Sequence, residues 1–279
     1  MSYRTILVHI DTSKKVRARI DAAVKLAVAN EAHLVALYSV FVAEPKSFYM
    51  MADVGPYLEE LREQREALRQ DLEKYFHEAV RREGLQAEWR APDEHPNIAL
   101  PLHARHADLT IAGQPDDSDP LSYIAPRFIE NLLLSAGRPV LVIPYTGASE
   151  VIGHRPMIAW DCSRAATRAV HDALPFLRRA PQSTVVSVNA VDEDEPVVRL
   201  PGADIATMLA RHRVRIEVHA LEGVPRRQVG EMLLSQAADL GSDLIVAGAY
   251  GHMRVTELVL GGVSRTLLQA MTVPVLFSH

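Results

Sequence analysis

Short apolar runs alternate along the chain with longer amphipathic segments. Ile6-Leu7-Val8-His9-Ile10 is a β-branched run ending at Asp11, the pattern of a strand buried on both faces of a parallel sheet. Thr12 and Ser13 are placed to cap a helix carrying Val16, Ile20, Ala23, Val24 and Ala27 on one face. Residues 34–40 predict the next strand, which completes a parallel, right-handed βαβ unit. Residues 42–55, with Pro45, Phe48, Tyr49, Met50 and Met51, have no period and predict a loop that acts as a surface contact or a lid. Leu58, Leu61, Leu68, Leu72, Tyr75, Phe76 and Ala79 mark a long amphipathic helix over 56–83, stopped by Gly84. A strand at 85–91, a helix at 97–106, a strand at 109–113, a helix at 129–135 and a strand at 139–144 follow. The alternation describes a doubly wound open α/β domain over residues 1–145.

After a linker at 146–153, the pattern begins again over 154–279. Residues 157–161 parallel the first strand, and Ser163 can cap a helix bearing Ala166, Ala169, Val170, Ala173 and Leu174. Strands are predicted at 184–191, 214–220, 244–247 and 274–278, with helices at 203–211 and along Val229, Met232, Leu233 and Ala237. The acidic run 192–195 reads as a solvated loop, because four adjacent acids do not by themselves converge on an ion. Gly113 to Gly248 and Pro139 to Pro274 are both separations of 135, which marks an internal duplication. The predicted fold class is therefore α/β, two tandem doubly wound open parallel five-stranded sheets of Rossmann-like type.

The candidate chemistry lies at 243–264. The strand 244–247 ends at Gly248, Gly251 follows, and after nine residues Gly261-Gly262 precede a helix whose Val263, Leu267, Leu268 and Met271 fall at helical spacing. Glycines admit close backbone approach, and a helix start offers unpaired N–H groups and a positive dipole end, so the stretch can cradle an anion. A plain turn and a packing glycine pair would leave the same trace.

The set Gly248-x2-Gly251-x9-Gly261, with Val263-Ser264 opening a helix and Val273-Pro274-Val275-Leu276 closing the chain, resembles the nucleotide-binding signature of the universal stress protein family. The resemblance extends over nearly the whole chain as the tandem, two-domain form, with a fold similar to the adenine nucleotide alpha hydrolases. It implies ATP, or alternatively AMP or ADP, bound in the second half, with Mg2+ only through the nucleotide. Gly248, Gly251 and Gly261 match the glycines around phosphates and ribose, while Gly262 stands where the family has Ser or Thr and offers only its N–H. Ser264 corresponds to a second hydroxyl of the family's glycine-serine-valine-serine variant. Asp161 falls beside the ribose or adenine, and Ala190 against the base. His252 and Arg254, on the arm after Gly251, can add charge to phosphates.

In the first half, Gly113 is kept, but Asp116, Pro126 and Arg127 stand where the second half has Gly251, Gly261 and Gly262. The loop's Asp116, Asp117 and Asp119 repel phosphate, and its prolines remove donors, so one nucleotide per chain is expected. No P-loop lysine, catalytic triad or zinc-ligand spacing is present, so the expectation is no catalytic residue, no resident metal and at most very slow ATP hydrolysis. A net charge of −5 gives no global attraction to nucleic acid. The single Cys162, the lack of a leader pattern and the lack of an apolar run of about 18 residues suggest a cytoplasmic protein without a membrane span. The resemblance further implies that the final strands pair the two domains as a pseudo-dimer, since an uncovered strand edge invites pairing. Two chains are expected to associate as a homodimer, with residues 47–51 as the candidate surface. The competing reading is an interaction protein whose nucleotide site is vestigial.

Overall fold

The computed structural model describes residues 2–40, 55–116, 119, 127–147, 150–189, 202–249 and 261–279. The first half runs β1 (Thr5–Ile10), α1 (Val16–Asn30), β2 (His33–Tyr38), α2 (Gly55–Glu83), β3 (Ala87–Arg90), α3 (Pro96–Ala104), β4 (Leu109–Gly113), α4 (Phe128–Ser135) and β5 (Val140–Ile143). The second half repeats it as β6 (Pro156–Trp160), α5 (Arg164–Asp172), α6 (Leu174–Leu177), β7 (Ser183–Val188), α7 (Gly202–Arg211) and β8 (Ile216–Leu221). It continues through α8 (Val229–Asp239), β9 (Leu244–Gly248), α9 (Gly262–Ala270) and β10 (Val275–Ser278). The segments 41–54 and 190–201, which hold the expected loop and the acidic run, lie outside the described residues.

Each half supplies the five expected strands, but the two sheets are not discrete. All ten strands form one sheet, in the order β3-β2-β1-β4-β5-β10-β9-β6-β7-β8. Each half contributes five parallel strands, and the seam is antiparallel, with Val275 opposite Val142, Leu276 opposite Leu141 and Phe277 opposite Val140. The physical reason is edge closure. β5 and β10 are four-residue apolar strands, fully buried here, and either one left as an edge would expose unpaired N–H and C=O groups. Pairing them satisfies both edges and creates the pseudo-dimer.

Helices cover both faces of the shared sheet. One apolar cluster joins α1, α2, α5, α6 and α7, and the other joins α3, α4, α8 and α9, each crossing the seam. Gln114 secures the junction: its buried amide donates to the Leu268 carbonyl at 2.7 Å and accepts from the Tyr145 N–H at 3.1 Å. No helix among the described residues is long and apolar enough to cross a membrane.

The two helix starts that follow β1 and β6 differ. Ser163 caps α5, its Oγ accepting from Ala166 N–H at 3.1 Å. Ser13 does not cap α1. Its N–H and hydroxyl both donate to Asp11 Oδ1, at 2.9 and 2.6 Å, and α1 starts later, at Val16, without a side-chain cap. The buried Asp11 outcompetes the helix for the serine.

Candidate functional site

Parallel α/β sheets leave a crevice at the carboxyl ends of their strands, where neighbouring helices depart to opposite faces. In the second half this crevice opens into a cavity of about 140 Å³. Ala159, Trp160 and Asp161 at the end of β6, with Ala247 and Gly248 at the end of β9, form its floor. Val186, Val188, Val229 and Leu233 make an apolar wall, and Gly261 to Ser264 at the start of α9 close the far side.

The start of α9 has no side-chain cap, so its first-turn N–H groups carry the polar character of that wall. Among the described residues, a Cβ at Gly261 or Gly262 would meet nothing within 4 Å. Ser264 is only 5% exposed, with Oγ 3.5 Å from the Gly248 carbonyl. Half-buried Asp161 accepts from Ser163 N–H at 2.9 Å through Oδ1. Gly248 has a second role: a Cβ there would lie 2.6 Å from the Ala165 carbonyl carbon and collide with the backbone of Ala166, so glycine lets the start of α5 sit on the end of β9.

Asp161, Gly248, Gly261, Gly262, Val263 and Ser264 are thus gathered around one cavity. Ala190, Gly251, His252 and Arg254 lie outside the described residues. The apolar wall was not singled out from sequence.

Equivalent residues follow from register. Ile6 pairs with Leu109 as Pro156 pairs with Leu244, so His9 corresponds to Ala159, Asp11 to Asp161 and Arg19 to Ala169. The separation of 135 at β4 and β9 carries on to match Phe128 with Val263 and Arg127 with Gly262. Where the second half has Ala159 and Val263, the first half packs the His9 imidazole against the Phe128 ring, centroids 4.7 Å apart. Where the second half has Ala169, the first half buries Arg19. Its guanidinium binds Asp11 Oδ1 at 2.7 Å, donates from Nε to the His9 carbonyl at 2.9 Å, and occupies the space a side chain at Gly113 would need. The small cavity of about 20 Å³ beside Gly113 and Arg19 is lined by Ser13, Gln114 and Tyr145 and is not the counterpart of the second half's cavity.

The charges of this plug are set by burial and by one another. Burial pushes His9 down to about 4, against the pull of Asp11. Its Nε2 lies 2.8 Å from the Ser39 carbonyl, which can only accept, so the proton of the neutral ring is on Nε2. Burial alone would raise the Asp11 pKa, but the Arg19 guanidinium, His9 and the Ser13 hydrogen bonds outweigh it and hold the carboxyl down at about 2. Asp119 is only 7% exposed, and its Oδ2 accepts from the Lys14 N–H at 2.8 Å. Sequence reasoning assigned the first half's closure to its acidic loop and missed the plug, whose members are 9, 11, 19 and 128.

The fold and the cavity together define a duplicated Rossmann-like protein that, among the described residues, has a cavity at one strand-end crevice and packed side chains at the other. The sequence profile of the universal stress protein family matches residues 2–144 and again 154–279, and the chain belongs to that family, with two of its domains in tandem. No curated protein matches it in sequence. Among solved structures it is similar to a universal stress protein from Archaeoglobus fulgidus DSM 4304, with 16% identity, a TM-score of 0.70, and coverage of 98% of this chain and 95% of that one. It is also similar to a putative universal stress protein from Pseudomonas aeruginosa UCBPP-PA14, with 19% identity, a TM-score of 0.59, and coverage of 99% and 93%. At these identities the likeness establishes the fold.

Proposed function

We propose that the protein binds one adenine nucleotide per chain, ATP or alternatively AMP or ADP, in the domain at 154–279, as a non-enzymatic or at most very slowly hydrolysing component of the cytoplasmic stress response. The domain at 1–145 is the degenerate partner, joined by the linker 146–153. The observation that carries this reading is the asymmetry between equivalent crevices: about 140 Å³ opens beside Asp161, Gly248 and the start of α9, while the first half fills its own with His9, Arg19 and Phe128.

The residues present fit such a ligand in chemical order. Val186, Val188 and Leu233 suit the neutral face of a base, the Asp161 carboxylate suits ribose hydroxyls, and the uncapped start of α9 suits a phosphate. Gly251, His252 and Arg254 complete the phosphate end in this reading, and Ala190 the base end. Gly262 supplies an N–H where a hydroxyl would add a further bond, so modest affinity is expected, since a hydrogen bond to a charged group contributes about 1.5–3 kcal/mol.

Calorimetric titration with ATP and magnesium tests the stoichiometry. About one site per chain is expected; two equal sites, or no heat at high micromolar nucleotide, would overturn the proposal. Association of two chains through residues 47–51 belongs to the same reading, and light scattering that returns only monomer across the micromolar range removes that part.

A further inference from the structure

A second cavity, about 360 Å³, lies between the two halves on the sheet face that carries α1 and α6. Its volume is within the range of about 300–1,000 Å³ common for small-molecule sites. One wall is α1, through Ala22, Lys25, Leu26 and Ala29. The opposite wall is the connecting segment 150–154, and the floor is Phe176 with Arg179 beside it.

The walls are fixed by named contacts. Asp243 ties down the connecting segment, accepting from the N–H groups of Gly153, His154 and Arg155 at 3.1, 2.8 and 2.9 Å. The Phe176 ring packs against Tyr3 at 5.6 Å, and the buried Tyr3 hydroxyl donates across the seam to the Asp172 carbonyl at 2.6 Å. Arg179 Nη1 crosses the seam in the same way, donating to the Ala29 carbonyl at 2.6 Å, with its guanidinium carbon 5.9 Å from the Phe176 ring centre.

The electrostatics are one-sided. Two cations, Lys25 and Arg179, line the cavity against one carboxylate, Glu150. Partial burial lowers the Arg179 pKa, which marks a guanidinium that has lost hydration. A guanidinium has five N–H donors in a planar fork, and the described residues use one of them here. Apolar surface faces these donors: Leu26 and Phe176 are buried beneath the cavity, Ile152 is half-buried, and Val151 is 59% exposed.

We propose that this seam cavity is a binding site for a small amphipathic organic anion, an aryl or alkyl carboxylate or sulfonate. Its acidic group pairs with Arg179 and Lys25, and its apolar body lies over Leu26, Ile152 and Phe176. Because the walls come from both halves, the bound anion also clamps the seam. The site is separate from the crevice at Asp161 and does not depend on nucleotide binding.

The test uses 8-anilinonaphthalene-1-sulfonate and its uncharged parent, N-phenyl-1-naphthylamine, titrated by fluorescence into the full chain. The sulfonate is expected to saturate one site per chain, at least tenfold tighter than the neutral amine, and to raise the melting temperature. Arg179→Gln should weaken it at least fivefold, and Ala29→Trp, which places an indole in the cavity from an exposed position on α1, should abolish the site with the fold intact by circular dichroism. AMP should not displace it. Equal affinity for the charged and neutral probes, unchanged binding in Ala29→Trp, no saturable binding, or displacement by AMP would each overturn the proposal.

Discussion

Gly261 has a φ of −56°, and among the described residues nothing lies within 4 Å of where a Cβ would go, so neither its backbone nor their packing requires glycine there. Gly248 is required by the backbone of Ala165 and Ala166. The two positions therefore separate a ligand role from a packing role. Gly261→Val should shift the ligand-free melting temperature by only a few degrees yet weaken ATP binding at least tenfold, about 1.4 kcal/mol. Gly248→Ala should instead cost about 1–3 kcal/mol in urea denaturation through overpacking. A Gly261→Val protein that binds ATP like the parent would remove the start of α9 from the site. His9 gives a pH test. Its folded pKa, about 4, is below the unfolded value of about 6.5, so the unfolded chain binds the extra proton between them. This contribution is complete above about pH 6.5 and is lost as pH falls toward 4, an effect of about 3 kcal/mol. Denaturation of His9→Phe, which fills the space without titrating, should show a flatter stability profile than the parent over that window; identical slopes would refute the assignment.

At the scale of elements, α4 and α9 enter their crevices from the same register and differ in the residue they present, Phe128 or Val263. The strand that each faces differs correspondingly, His9 or Ala159. Val263→Phe should therefore convert the open crevice toward the filled one, abolishing nucleotide binding by calorimetry with at most about 1–3 kcal/mol of destabilisation. Retained binding would mean that the ligand does not use this cavity. The strands and most helices were legible because burial on both faces imposes continuous apolar runs, as in 244–247, and amphipathic helices impose a period. Their ends were less so: residues 39–40 and 189 continue the apolar or polar trace of β2 and β7, but the strands end at Tyr38 and Val188, with one more bond each from the Ser39 and Asn189 N–H groups. The short α6, Leu174–Leu177, was not read separately because Pro175 sits at its start rather than breaking it.

For the molecule as a whole, the continuous sheet makes the two halves one cooperative structure. Phe277 is fully buried at the seam opposite Val140 and belongs to the apolar cluster shared by both halves. Phe277→Ala should cost about 3–5 kcal/mol, and calorimetry should show parent and variant each melting in a single transition. Two resolved transitions in the parent would show that the halves unfold independently despite the shared sheet.

The sequence by itself determined the duplication, the alternation of strands and helices and the glycine set of one half, because each is written in local period or in spacing along the chain; the pairing of the halves through their last strands followed only from the family resemblance, and the tertiary structure decided it. Only the tertiary structure decided which crevice is open. That outcome depends on His9, Arg19 and Phe128, residues from three elements whose side chains converge only after β1 and β4 pair, and on the small residues Ala159 and Val263 that line the open cavity. Volume at a point in space is a sum over residues distant in sequence, and no local pattern records it.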